Sequence, residues 1–395
     1  MALDVLAASS QVRTMAGALA AQAARMREIP DFAADLLRSW HARSEEAQAY
    51  LEGLETGGIW PFAVPLEPLL SAFSVRGEPR DSAVVATDGS QINSDSHGMV
   101  RCLLINVGWA AMSYGIKPHA CLSNRPTVYF HDDDLYREDE DGQQREMGDQ
   151  MLAMLRTVAE LERLADLAEE WRERENLVAI TDGNLVRWEF GGRSAGSART
   201  ALLARYTGAL ARFRHLGVPV CGYISRPNSR EVANSISLLA LRDCGHTSDR
   251  CPRCAGRKPP LCESLHVLND ARLLTHPRPG QRSALFRSLA PILQKYEPAD
   301  RILFCYLKLE DEMARIEIPR WVAGSEHLSR LLSVVHGQCV RGRGYPVVLQ
   351  EAHEQAVIHG TAREAFRRLV QTALVGEGVE STVSFKRLSK DLRAV

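Results

Sequence analysis

The chain has 395 residues, 45% of them hydrophobic and 25% charged, with a formal net charge of -1. That length suits one large or two ordinary domains with a real core. The near-neutral balance excludes a strongly basic protein that coats nucleic acid, while leaving room for a local basic groove. No run of about 18 uninterrupted apolar residues occurs, so no membrane span is expected. The first twenty residues lack the basic stretch and apolar run of a signal peptide. Nine cysteines, an odd number and mostly scattered, suit a reducing cytosol better than a disulfide framework, so a cytoplasmic location is expected.

Residues 1 to about 55 are rich in Ala, Leu, Arg and Glu with apolar residues at helical spacing, which predicts an N-terminal extension of one or two helices. Gly and Pro in "EGLETGGIWPFAVP" end that pattern. Three strands are expected next, in "SAVVATD", "MVRCLLINVGWAAM" and "PTVYFHDD". The run 131–141 holds seven acids and reads as a solvated loop or hairpin tip. A long amphipathic helix is expected over 148–175, then the strand "LVAITDG", the helix "RTALLARYTGALARFRHLG" and the strand "VPVCGYIS". This alternation predicts a mixed α/β (α+β) fold, a central sheet flanked by helices. No fixed-period repeat of solenoid type is present.

Asp88 and Asp182 each close an apolar run and each precede a glycine, in "VVATDGS" and "VAITDGN". In a sheet covered by helices, sites form at strand ends. One Asp-Gly after a strand is a common turn signal; the doubled phrase singles these two out. On neighbouring strands the two carboxylates would lie a few ångströms apart, and one would take up a proton unless a cation sat between them. Mg²⁺ or Mn²⁺ is the natural cation, because both prefer carboxylate oxygens and often bridge to phosphates.

A third acid is sought on the intervening helix. At about 100° per residue, Leu155, Val158, Glu162, Ala165 and Glu169 share a stripe, and Glu160 points roughly opposite. Glu162 is therefore expected on the apolar face, with Glu160 and Glu169 as alternatives. A glutamate at a stripe's edge can otherwise be satisfied by solvent or an arginine. Late in the chain, Pro346 suits the first turn of a helix that carries His353 on its inward side, four residues after Leu349. Beside an acid cluster such a histidine is a candidate metal ligand or proton shuttle.

"ATDGS" on a first strand, a helical Glu, "TDGNL" on a later strand and "YP…L..AHE" near the C-terminus together resemble the NurA nuclease family, over residues of about 80 to 370. The resemblance implies an RNase H-like fold, a nuclease domain over 80–375, and Mn²⁺- or Mg²⁺-dependent DNA cleavage. It implies a homodimer that works with a hexameric HerA-type DNA-translocating ATPase in DNA end processing or defence. Carried over, the metal-binding acids are Asp88, Glu162 and Asp182, and the late pair is Tyr345 and His353, with His353 a metal ligand or the proton donor to the leaving group. This chain departs from the pattern at Asn184, where Ser is commoner, and in "YISRPNS", where Arg226 stands in place of a frequent lysine. Arg226, Arg230, Arg341 and Arg343 are candidate phosphate contacts. The N-terminal region is a candidate dimer or docking surface.

Cys244, Cys251, Cys254 and Cys262 fall within an insertion of about 243–263, where a C-x₂-C knuckle and its outer pair compose a candidate structural Zn²⁺ site, with His246 as a substitute ligand. Two other functions compete. One is a non-catalytic adaptor of a translocating ATPase. The other is a phosphatase with an Asp nucleophile, which needs a second acid where Ser90 stands. No Walker-type phosphate loop is present, so any ATP hydrolysis must come from a partner.

Overall fold

The computed structural model describes residues 4–25, 29–54, 61–93, 102–131, 135–138, 144–191, 196–243 and 265–378. The expected mixed α/β class forms: eleven strands pair in parallel and antiparallel ladders, with helices packed on them. Among the described residues no helix is long and apolar enough to cross a membrane. The chain divides into two compact units, one of residues 1–74, 225–291 and 303–315, the other of 75–224, 292–302 and 316–395. The cysteine cluster lies outside the described residues.

The first unit contains the predicted N-terminal extension, whose helices are Val5–Arg25, Ile29–His41 and Ser44–Glu52. Phe32, Leu36, Leu37 and Trp40 recur at helical spacing on the second of these and are buried with Ile236, Leu239, Phe286 and Phe304. The core also buries charge. Arg315 bonds Glu231 at 2.7 Å, and Asp270 accepts from Tyr306 Oη at 2.7 Å and from the Ala233 amide at 2.9 Å. Burial pushes Asp270 up to about 6, against the pull of those two donors.

The second unit is labelled from its own first strand. Its longer strands are β1 (Ser82–Ile92), β2 (Leu103–Tyr114), β3 (His119–Tyr129), β4 (Leu177–Asp182) and β5 (Val220–Ile224). Its longer helices are α1 (Asp149–Glu170), α2 (Ser197–Leu216), α3 (Ser325–Arg341), α4 (Val347–Ala356) and α5 (Gly360–Gly376). The strand order is β5-β4-β1-β2-β3. β1, β2 and β3 form an antiparallel meander, whereas β4 runs parallel to both β1 and β5. The parallel pairing requires a crossover, and α1 supplies it. Residues 82–87 are buried without a break because helices cover β1 on both faces.

Two registers position everything that follows. Thr87 pairs with Thr181, so Asp88 and Asp182 stand side by side on adjacent strands. Asp88 pairs with Gly108 and Ser90 with Asn106 across β1 and β2. Side chains alternate along a strand, so Asp88 and Ser90 share one face while Thr87 and Gly89 share the other. α4 lies on the first face, and Asn106 donates to its Gln355 and Ala356 carbonyls. α1 lies on the second, where Thr87 Oγ1 donates to the Glu160 carbonyl at 3.0 Å.

Gly108 is where backbone meets backbone: a Cβ there would fall 2.3 Å from the Ala356 nitrogen. Gly108→Ala must push α4 away, at about 1–3 kcal/mol for overpacking. Gly208, exposed in mid-α2, has nothing within 4 Å of a Cβ. Gly208→Ala should stabilise by about 0.4–1 kcal/mol. Thermal melts of the two variants should therefore move in opposite directions.

Candidate active site

The strand phrase carrying Asp88 does not end there. β1 continues four residues to Ile92, so Asp88 is a mid-strand residue and Gly89 makes no turn. Gly89 serves close approach instead: a Cβ on it would lie 2.3 Å from Glu160 Oε1 and 2.8 Å from Arg156 Cγ. Asp182 does end its strand. Gly183 has φ +90°, a backbone that only glycine adopts at no cost, and turns the chain away. Buried groups pin the turn that follows. Glu317 accepts from the amides of Leu185 at 2.7 Å and Val186 at 3.2 Å, and Tyr206 and Tyr296 both donate to the Leu185 carbonyl.

α4 brings two side chains to the Asp88–Asp182 face. His353 Nδ1 lies 2.6 Å from Asp88 Oδ2. The histidine was expected to face inward; its side chain is instead 62% exposed. Val348, Leu349, Ala352 and Ala356 form the buried stripe, and His353 sits at its rim. Tyr345, in the turn before α4, donates its hydroxyl to Asp182. That turn is tight: Arg343 and Gly344 have φ values of 53° and 115°. Gln338 Oε1 fixes the helix start by accepting from the Val348 amide at 3.1 Å, and Tyr345 packs edge-on against Tyr223.

The expected placement of Glu162 on the apolar face is corrected. Glu162 and Glu169 face α2, where Glu162 meets Arg205 Nη2 at 2.8 Å and Glu169 meets Arg212 Nη2 at 3.0 Å. Glu160 is the buried one, 9% exposed, with Arg156 Nε 3.1 Å from its Oε1. The single-stripe reading failed because α1 is packed on two sides, by α2 and by the sheet, so its buried arc is far wider than one stripe. The arginine seam between α1 and α2 occupies one edge of that arc and Glu160 the other. Arg156 itself, four residues before Glu160, carried no sequence signal beyond that spacing.

Electrostatics ties the three acids together. Glu160 is pushed up to about 7, first by burial, then by the charges of Asp88 and Asp182, against the pull of Arg156 and Arg187. Asp182 is raised by lost hydration and by Asp88, and lowered in part by Tyr345, His353 and the Gly183 amide. Burial and the Asp182 charge hold the Tyr345 hydroxyl well above the usual phenol range. The donors, carboxylate oxygens and one imidazole, fit a hard divalent cation in type. Among the described residues, no three His, Cys, Asp or Glu side chains already ring a common point as ligands. Glu160 reaches β1 from the face opposite Asp88, and Arg156 and His353 hold the acids meanwhile.

Of the four candidate phosphate-binding arginines, Arg226 and Arg230 belong to the first unit, where Arg226 lies 3.4 Å from Glu312. Arg341 pairs with Glu78 and stacks on Tyr114, while Arg343 is exposed in the turn before Tyr345.

A family model described as the NurA domain matches residues 82–358, which contain all five residues gathered here: Asp88, Glu160, Asp182, Tyr345 and His353. The chain belongs to the NurA family. No curated protein matches it. The NurA match starts at the first residue of β1 and ends just past α4, so the family's segment begins and ends on the two elements that Asp88 and His353 join. Membership places the chain in a family of nuclease type, and the enzyme reading holds at that level.

The raised Glu160 has a signed consequence for the chain in chelator. Its folded state holds the proton more tightly than the unfolded state, where the value is near 4.5. Its stabilising contribution is therefore complete below that value and is lost as pH rises through about 7. Glu160→Gln does not ionise. The urea midpoint of this variant should gain on that of the native chain between about pH 5 and about pH 8.

Proposed function

We propose that this protein is a divalent-metal-dependent DNA nuclease, a phosphodiester hydrolase, in which Asp88, Asp182 and Glu160 hold Mn²⁺ or Mg²⁺. The observation that carries the reading is the meeting of Asp88 and Asp182 in register on parallel strands, with Glu160 lifted by burial and further by both charges. A bound divalent ion would neutralise phosphate charge and acidify a water molecule. The strand order β5-β4-β1-β2-β3, with an antiparallel second strand, supports the RNase H-like reading of the fold.

The chain's own groups have separable tasks. With Nδ1 against Asp88, the His353 ring presents Nε2 to an incoming group and can pass a proton to the leaving oxygen. Tyr345 keeps its proton, so it acts as a donor, first to Asp182 and then to a phosphate oxygen. Arg341 and Arg343 precede Tyr345 closely in the chain and supply sequence-independent backbone contacts. A homodimer working with a HerA-type hexameric ATPase completes the proposal, since the chain lacks a phosphate loop of its own. The phosphatase reading loses its second acid: Ser90 stands there, and its hydroxyl is bonded to the Ala356 carbonyl.

The test is incubation of the pure protein with linear single- and double-stranded DNA in Mn²⁺, Mg²⁺ or EDTA. Cleavage should need the metal. Asp88→Asn, Asp182→Asn and Glu160→Gln should each lose about a hundredfold or more in rate. Glu162→Gln should stay near the native rate. Binding to the ATPase without cleavage under any metal would establish the adaptor instead.

A further inference from the structure

The last turn of α4 is attached to the sheet by side chains that the active-site chemistry does not use. Four residues make a tile on one face of β1 and β2: Asp88 beside Gly108, and Ser90 beside Asn106. Gly108 leaves the space in which the Ala356 backbone sits. Ser90 Oγ donates to the Ala356 carbonyl at 2.5 Å. Asn106 Nδ2 donates to the same oxygen at 2.9 Å and to the Gln355 carbonyl at 3.3 Å. The last carbonyls of a helix have no partner within it. Here two side chains supply one, and Asn106, only 7% exposed, has its amide nitrogen committed to them.

His353 is one turn before Ala356 on the same helix, and its ring meets Asp88 on the same tile. At 62% exposed, the ring has little packing of its own to hold it. Its placement depends on where the helix end is fixed. The geometry points to Ser90 and Asn106 as positioning residues for His353: they grip the C-terminal carbonyl of α4 so that Nδ1 meets Asp88. They act through the helix and touch no reacting group. The kinetic part of this inference rests on the nuclease reading above; the spectroscopic part does not.

The experiment uses the full chain with ¹⁵N-labelled histidine, in chelator at constant alkaline pH. The His353 resonances are assigned by comparison with His353→Gln. In the native chain Nδ1 should appear protonated, since the partner of one ring nitrogen sets the tautomer. In Ser90→Ala/Asn106→Ala the Nδ1 signal should move towards the unprotonated position, as it should in Asp88→Asn, which weakens the acceptor directly. Ser90→Ala alone removes one of the three donor contacts and should show a smaller shift of the same sign. This single variant serves if the double one does not fold. Ser90→Thr keeps the hydroxyl and should restore the native signal.

With DNA and metal, the double variant should lose about 10–100-fold in kcat, the range for residues that orient a ligand, while KM changes little. An unchanged Nδ1 signal in a folded double variant would overturn the inference, whatever the rate. If no variant and no native protein cleaves DNA, the nuclease reading fails and the ring signal still decides the clamp.

Discussion

The second unit is organised around a repulsion. Two unit charges about 4 Å apart near a protein surface cost roughly 4 kcal/mol, and this fold sets two aspartates side by side and brings a buried glutamate to the same strand. Each acid has an offset of a different kind: His353 beside Asp88, the Tyr345 hydroxyl on Asp182, and Arg156 against Glu160. None cancels the crowding, since both Glu160 and Asp182 remain raised. Burial is the largest cause for both. The site therefore favours protons or cations over bare carboxylates. A folded core would gain nothing from such an arrangement; the divalent-ion site proposed above would gain affinity from it.

Rigidity around the acids is what keeps the repulsion in place. Glu317, Tyr206 and Tyr296 fix the turn after Asp182 by binding the backbone of residues 185–187. The other side is fixed through Gln338, which ties the start of α4 to α3 and also donates to Tyr114 on β2. The polar groups of this support are buried and bonded, so moving the site means breaking several contacts together.

Much of this was legible in the residues, and the failures have physical reasons. Apolar runs marked β1, β2, β4 and β5, because strands covered by helices read as near-continuous apolar stretches, and long uninterrupted helical sequence marked α1 and α2. The pairing of Asp88 with Asp182 followed from the doubled phrase and a parallel register. A single apolar stripe points to Glu162 over Glu160, whereas α1 faces two neighbours. Counting from Leu349 points His353 inward, but the buried stripe of α4 runs through Val348, Leu349, Ala352 and Ala356 and leaves His353 at its rim. Ser90, Asn106 and Gly108 gave no local signal at all. Their meaning lies in the cross-strand register, and only the alternation from Asp88 to Ser90 hinted that both face the same way.

The two near-identical phrases at 84–90 and 178–184 turn out to do different mechanical work. In the first, the glycine vacates a volume so that the Glu160 carboxylate and the Arg156 stem can lie against the strand. In the second, the space around the glycine is open and its backbone angle is what matters. The residues after them diverge accordingly. Ser90 stays in the ladder and reaches across to a helix end, while Asn184 has left the strand for an exposed turn. What the two phrases share is a buried threonine and then an acid. The threonines pair with each other, and that one rung sets both acids on the same face at the same height. The repeated threonine is thus the part of the phrase that builds the site, and the repeated glycine is the part that only looks alike.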